Sequence, residues 1–312
     1  MKIKTAHMIL LCSSLVFMNL IQTGSAKLPD PPPMRSQQEI KAVLDQVPTP
    51  PAVLADRLNI VLVADKKDHG PCEHDYALWQ RRWQALLSGA GSSPTNLYGP
   101  PQTAMPAEDI GSVTVKTAQA WPDEAQLDWA DVVVVFCYIQ WDEHKLGQLR
   151  AYLNRGGGFV PVHSATWTKP GPSLSVAELT SCGGFTQFRH GSLALEIVDP
   201  NHPICWGLPP QIEFVDESYW PPTPQIDSTA MHVLAISNER IKKDSAETGA
   251  QPMFWTYEYG RGRVFGCVLG HYTWTFDDPY FRLLLLRGMV WSAGQWPFRL
   301  DSLATQGIVL KD

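Results

Sequence analysis

The chain carries little charge and few cysteines. Asp, Glu, Lys and Arg make up 18% of its 312 residues. Lys and Arg number 25 against 31 Asp and Glu, a net charge of -6, and no basic run stands out. Phosphate backbones are held by concentrated positive patches, so a nucleic-acid partner is excluded. The six cysteines are loosely spaced and form no CxxC pair, which rules out a disulfide scaffold and a CxxC zinc site. HxH and HExxH spacings are also missing, so a metal has no local signature. Gly156-Gly157-Gly158 leads into a strand-like run rather than a helix, so a phosphate loop is lacking too. Beyond the first residues no apolar run could span a bilayer; Leu283 to Leu286 is cut by Arg287.

The beginning differs from the rest. Lys2 and Lys4 precede an apolar run from Met8 to Ile21, and Gly24-Ser25-Ala26 supplies small residues for cleavage. This pattern predicts a signal peptide over 1–26 and a secreted or periplasmic protein, with an uncleaved membrane anchor as the rival. Cleavage after Ala26 removes Lys2, Lys4 and Cys12. The mature chain then needs no membrane. Cys137 and Cys267 lie in apolar runs and read as buried thiols. Cys182 and Cys205 could pair in an oxidising compartment.

At 44% hydrophobic, the remainder can build a sizeable core. Residues 27–57 are a Pro-rich leader with a short helix from Ser36 to Val47, marked by the capping pair Ser36 and Glu39. An α/β domain spans 58–294, and 295–312 reads as a C-terminal tail. Strands are expected over Asn59–Ala64, Ser112–Ala118, Asp131–Tyr138 and Phe159–His163, alternating with helices over His74–Leu87 and Asp142–Leu153. Such units predict a mostly parallel sheet with helices on both faces. The second half is richer in strands: Leu193–Val198, Val233–Ser237, Pro252–Tyr259 and Gly262–Leu269. A final helix capped by Asp277 or Asp278 runs through Trp291.

In such a sheet ligands sit outside the carboxyl ends of the strands. The first strand runs into a dense ionisable stretch, Asp65 to Tyr76, containing His69, Glu73 and His74. Another ends at His163-Ser164, and a third at Gly270-His271. His190 precedes a strand, and Asp216-Glu217-Ser218-Tyr219 ends one. Imidazoles beside a carboxylate suit acid–base chemistry, because burial and mutual charge tune both groups. His163, His190, Glu217 and His271 are the candidate catalytic set; His69, Glu73, His74 and Ser164 would orient it or bind substrate. The same residues could complete a divalent metal site of nitrogen and oxygen ligands, the one cofactor these residues leave open. Among 12 tryptophans, Trp141, Trp167 and Trp274 follow strand ends and are placed to stack on a sugar, whereas Trp83 and Trp255 read as core. Oligomeric state has no signature in the sequence.

Several of these motifs, in order between Leu58 and Gly294, resemble the ThuA-like (trehalose utilisation) family. They are Lys67-Asp68-His69-Gly70 with Glu73-His74-Asp75-Tyr76, Gly157-Gly158-Phe159 to His163-Ser164-Ala165, His202-Pro203-Ile204, Asp216 to Tyr219, and Gly260-Arg261-Gly262-Arg263-Val264 to Leu269-Gly270-His271. The resemblance implies a class I glutamine amidotransferase-like, flavodoxin-like fold. Amidotransferases place a cysteine nucleophile at a sharp turn after a central strand, where this chain has His163-Ser164; Cys-dependent glutaminase chemistry is therefore not expected. The family's tie to trehalose and to sugars oxidised at a ring carbon implies a small carbohydrate ligand and a functional link to a sugar oxidoreductase. The expectations are a carbohydrate-processing enzyme cleaving or rearranging a glycoside or keto sugar, a non-catalytic carbohydrate-binding domain, or a metal-dependent hydrolase.

Overall fold

A computed structural model describes residues 28–52, 57–88, 112–224, 230–242 and 246–312. The expected signal peptide lies outside the described residues. In chain order the elements are α1 (Gln37–Leu44), β1 (Arg57–Ala64), α2 (Tyr76–Ser88), β2 (Ser112–Gln119), α3 (Glu124–Trp129), β3 (Val132–Phe136), α4 (Glu143–Asn154), β4 (Gly158–Pro161), α5 (Leu174–Thr180), β5 (Gln187–Ile197), β6 (Gln211–Trp220), β7 (His232–Arg240), β8 (Thr248–Tyr259), β9 (Gly262–Cys267) and α6 (Pro279–Ser292). No described helix is long and apolar enough to cross a membrane.

The strands form one nine-stranded sheet in the order β2-β1-β3-β4-β9-β8-β7-β5-β6. From β2 to β9 neighbours are parallel. From β9 to β6 they are antiparallel. The expectation of a mostly parallel sheet is corrected: half of the pairings are antiparallel. Connection length explains it. A parallel crossover needs a dozen or more residues, which the helices of the first half supply. Between β8 and β9 there are only Gly260 and Arg261, so the chain can only double back. Gly260 adopts φ 59°, and a Cβ there would sit 2.3 Å from Asn154 Oδ1.

Adjacent strand residues face opposite sides of the sheet. Phe136 of β3 meets Trp79 of α2 and Phe276, while Phe254 of β8 meets Phe281 of α6. On the other side Phe159 meets Trp121, whose Nε1 donates to Gln148 of α4, and Trp255 donates to the Thr180 carbonyl of α5. Helices thus cover both faces, and β1, β3 and β4 are buried along nearly their whole length. Trp83 and Trp255 are core residues, as their patterning predicts.

Both flanks of the expected domain belong to the packed body. Ile40 and Val43 of α1 are buried, and Ser36 pairs with Lys311. Residues 295–312, expected as a tail, contain a 3-10 helix over Pro297–Leu303 that buries Phe298, Leu300 and Leu303. Asp301 in it holds Arg287 of α6, a fully buried guanidinium. Asp278 caps α6 through the Tyr280 and Phe281 amides. The pairing considered for Cys182 and Cys205 is not formed: both are buried free thiols, with sulfurs facing the Gly184 and Leu234 carbonyls respectively.

Candidate functional site

Four side chains meet at the carboxyl ends of the parallel strands. His74 comes from the loop after β1, His163 from the turn after β4, His271 from the loop after β9, and Glu217 from β6. His74 Nε2 lies 2.9 Å from His163 Nε2 and 3.0 Å from His271 Nδ1. Glu217 Oε2 lies 3.2 Å from His163 Nε2 and 2.9 Å from His271 Nδ1. All four residues are buried. The four donor atoms lie within 4.8 Å of one another. The set can share protons or hold a cation.

The backbone is shaped to make this meeting. His163 and His74 are non-glycine residues with φ 48° and 40°. Such left-handed conformations cost of order 1–3 kcal/mol each and persist where surroundings fix them. His163 thus occupies a strained turn directly after a central strand, the place expected of an amidotransferase cysteine. The four buried cysteines do not substitute for one: burial pushes the Cys137, Cys182 and Cys205 thiols up to about 12 and Cys267 well above its usual range. The His271 loop is clamped from β6. Asp216 accepts hydrogen bonds from the Gly270 and His271 amides at 3.0 and 2.9 Å. Gly270 sits at φ 132°, and a Cβ there would press on His163 Cβ at 3.3 Å.

Two of the imidazoles are also held from behind. His163 Nδ1 donates to the Val268 carbonyl at 2.7 Å. His74 Nδ1 donates to Asp68 Oδ1 at 3.0 Å. Tyr76 OH, which donates to Asp68 Oδ2, is 2.8 Å from the same ring nitrogen. His271 Nε2 faces Glu73 Oε1 at 3.4 Å. Tyr219 OH stands 2.8 Å from His163 Nε2, with its ring stacked on His163.

Electrostatics divide the cluster. Burial and then the neighbouring His163 and His271 push His74 down, toward the neutral imidazole. Burial works to raise the Glu217 carboxyl, but hydrogen bonds from His163 and His271 outweigh it and hold it well below the usual carboxylate range. Burial alone would lower His271, yet its contact with Glu217 reverses that and raises it. His190 is lowered, by burial first, with Glu217 opposing.

The other expected residues fall into groups. His190 lies within β5 rather than before it, in register with Glu217. It is half-exposed, with Nε2 3.4 Å from Glu217 Oε1 and Nδ1 3.2 Å from Tyr272 OH. His69 lies at the rim, its ring centroid 3.8 Å from His74 and its Nδ1 2.8 Å from Asp68. Ser164 is fully buried in the 3-10 turn after β4. Trp167 packs edge-on against Tyr219 at 4.8 Å and beside exposed Phe188 at 6.1 Å, so it belongs to the site's aromatic wall. Trp274 stacks behind Tyr272 and donates to the Val215 carbonyl. Trp141 packs against Trp121, on the α4 face. His202 packs on His232 and Trp291 instead of joining the cluster.

Sequence reasoning did not single out Asp68, Tyr76, Asp216 or Tyr219. Their signal was proximity to candidate histidines and Glu217 within charged motifs. The contact of His74 with His271, 197 positions away, had no local spacing to reveal it.

Comparisons with known proteins agree with this architecture. Residues 86–292, about two thirds of the chain, match the family described as "ThuA: Trehalose utilisation". A ThuA-like protein from Bacteroides uniformis superimposes with a TM-score of 0.57 at 18% identity, covering 78% of this chain and 95% of that one. Another from Parabacteroides merdae gives a TM-score of 0.51 at 18% identity, covering 76% and 90%. At that identity the likeness shows the fold alone. No curated protein sequence matches this chain. The family match links the chain to carbohydrate metabolism, and on its extent this chain belongs to the ThuA (trehalose utilisation) family.

Proposed function

We propose that this protein is a carbohydrate-processing enzyme that cleaves or rearranges a glycoside or keto sugar at the cluster of His74, His163, Glu217 and His271, outside the cytoplasm after its signal peptide is removed at Ala26. The observation that carries the proposal is the bridging of Glu217. Its Oε2 is held between His163 and His271, while its Oε1 faces the half-exposed His190. A carboxylate fixed in this way orients imidazoles, and proton transfer by positioned imidazoles contributes typically about 10²–10⁴-fold to a rate.

His190 is the proton-transfer group that substrate can reach, and Tyr272 OH orients its ring. A ketone on a sugar ring makes the neighbouring C–H proton removable by such a base, so a keto sugar made by an oxidoreductase fits this chemistry. Trp167 and Phe188 offer aromatic faces beside Tyr219 for the apolar side of a sugar ring.

The test is incubation of the mature protein with trehalose, simple glucosides and their 3-keto derivatives, with products followed by mass spectrometry. Product from the keto sugars is expected. A ligand-induced rise in melting temperature with no product from any sugar would overturn the proposal in favour of a carbohydrate-binding domain.

A further inference from the structure

We propose that His74 Nε2, His163 Nε2, His271 Nδ1 and Glu217 Oε2 are the ligands of one divalent metal ion of the zinc class. The inference stands on donor geometry, and it rests on the function proposed above only for what the ion would do there.

The first argument is the shape of the donor set. A tetrahedral zinc site with metal–ligand distances of about 2.0–2.1 Å has ligand–ligand edges of about 3.3 Å. The four measured edges are 2.9, 3.0, 3.2 and 2.9 Å. The two remaining edges, His163 Nε2 to His271 Nδ1 and His74 Nε2 to Glu217 Oε2, lie within 4.8 Å, so all four donors are in reach of one ion.

The second argument concerns which nitrogens carry protons. The Val268 carbonyl can only accept, so His163 Nδ1 carries a proton. The Asp68 carboxylate fixes the His74 proton on Nδ1 in the same way. In the neutral rings both Nε2 atoms then present bare lone pairs to each other. Three arrangements relieve this contact: Tyr219 OH donating to His163 Nε2 at 2.8 Å, an imidazolium paired with Glu217, or a cation lying between the rings. Of the three, only the cation engages His74 Nε2, His163 Nε2, His271 Nδ1 and Glu217 Oε2 together.

The third argument is the shell behind the ligands. Metal-bound histidines characteristically anchor their other nitrogen on a carboxylate or carbonyl. Here His74 and His163 are anchored on Asp68 and Val268, while His271 Nε2 makes no hydrogen bond and faces Glu73 Oε1 at 3.4 Å. Asp68, His69 and His74 also group within ligand reach. Asp68 Oδ1 already serves His69 Nδ1 and His74 Nδ1, so this trio supports the site and is not a second one.

Three nitrogens and one carboxylate oxygen favour zinc, cobalt or nickel over the oxygen-seeking magnesium and calcium. With all four ligands engaged, such an ion would polarise a substrate carbonyl or hydroxyl only by expanding to five-coordination, with Tyr219 OH and His190 as the adjoining polar groups.

The experiment uses the full mature chain purified without chelator. Elemental analysis should find a stoichiometric transition metal. After removal of metal by dialysis against dipicolinate, titration with Co²⁺ should give saturable visible absorption of a low-coordinate site. Glu217→Gln and His74→Ala should each weaken Co²⁺ binding by roughly a hundredfold or more, and Asp68→Asn by about 10–100-fold. His202→Ala, remote from the cluster, should bind as the parent does. Circular dichroism separates lost ligation from lost folding, and Glu217→Gln preserves side-chain shape if His74→Ala does not fold. The proposal is overturned if the protein carries only trace metal and shows no saturable Co²⁺ absorption, or if Glu217→Gln and Asp68→Asn bind unchanged. Turnover of keto sugars by metal-free protein would overturn the ion's part in the chemistry while leaving the proposed function standing. Stoichiometric, Glu217-dependent metal with no sugar product would support the site and count against that function.

Discussion

His74 Nε2 stands 2.9 Å from His163 Nε2 across 89 positions of sequence, and each ring holds its opposite nitrogen against an acceptor. The two rings cannot rotate away from each other without giving up those anchors. Both residues also hold left-handed backbone conformations. The fold therefore spends stability to bring two imidazoles together, which purely structural histidines would not require.

Asp216 is the positioning residue for the third imidazole. It takes the Gly270 and His271 amides on its two oxygens. In Asp216→Asn one of these positions becomes an amide group that cannot accept. We expect a loss of about 2 kcal/mol in urea denaturation, the scale of a hydrogen bond to a charged group. Catalysis should fall further than stability explains, because His271 loses its register with Glu217. A variant with parental denaturation midpoint and activity would refute the clamp.

The tryptophans should separate by location. Trp167→Ala removes a face of the aromatic wall and should raise KM with little change in kcat, as expected for lost uniform binding. Trp141→Ala removes a ring packed on Trp121 and should lower the melting temperature while leaving KM near the parental value. The reverse pattern in steady-state kinetics and thermal melts would place the sugar on the α4 side.

Asp301 ties the last residues to α6. Its partner Arg287 is fully buried, so Asp301→Ala leaves an uncompensated guanidinium and should cost about 3–5 kcal/mol. Lys41→Ala, which breaks an exposed pair with Asp45, should cost under about 1 kcal/mol. Chemical denaturation of both variants checks the contrast. Near-equal losses would mean that residues 295–312 are not part of the cooperative unit.

His202 gives a pH dependence with a defined sign. Burial first, then His232, lowers it from 6.5 to about 4. Its Nδ1 accepts the Ile204 amide, a bond available only while that nitrogen is unprotonated. Between pH 6.5 and about 4 the unfolded chain takes up this proton and the folded chain does not, so stability falls as pH falls. The contribution is complete above the unfolded value. His202→Gln, whose side-chain oxygen can accept the same amide, should show a shallower fall in melting temperature across that window. An unchanged slope would assign the acid sensitivity to other groups.

The sequence by itself determined the local elements. Apolar runs marked β1, β3, β4 and β9, Ser36 marked the start of α1 by its capping pair, and Asp277 or Asp278 marked that of α6, where Asp278 proves to be the cap. It also put His69, His163 and His271 beyond strand ends. These features follow from periodicity and end chemistry, which act over a few residues. Only the tertiary structure decided that His74, not His69, enters the buried centre, that His190 stays at its mouth, and that Trp141 serves the α4 face. It alone placed the antiparallel β5–β6 ribbon so that Glu217 reaches the histidines that follow β4 and β9. The reason is that strand order and the path of a ribbon are set by which surfaces bury together, and contacts spanning 54 to 197 positions leave no periodic trace in the chain.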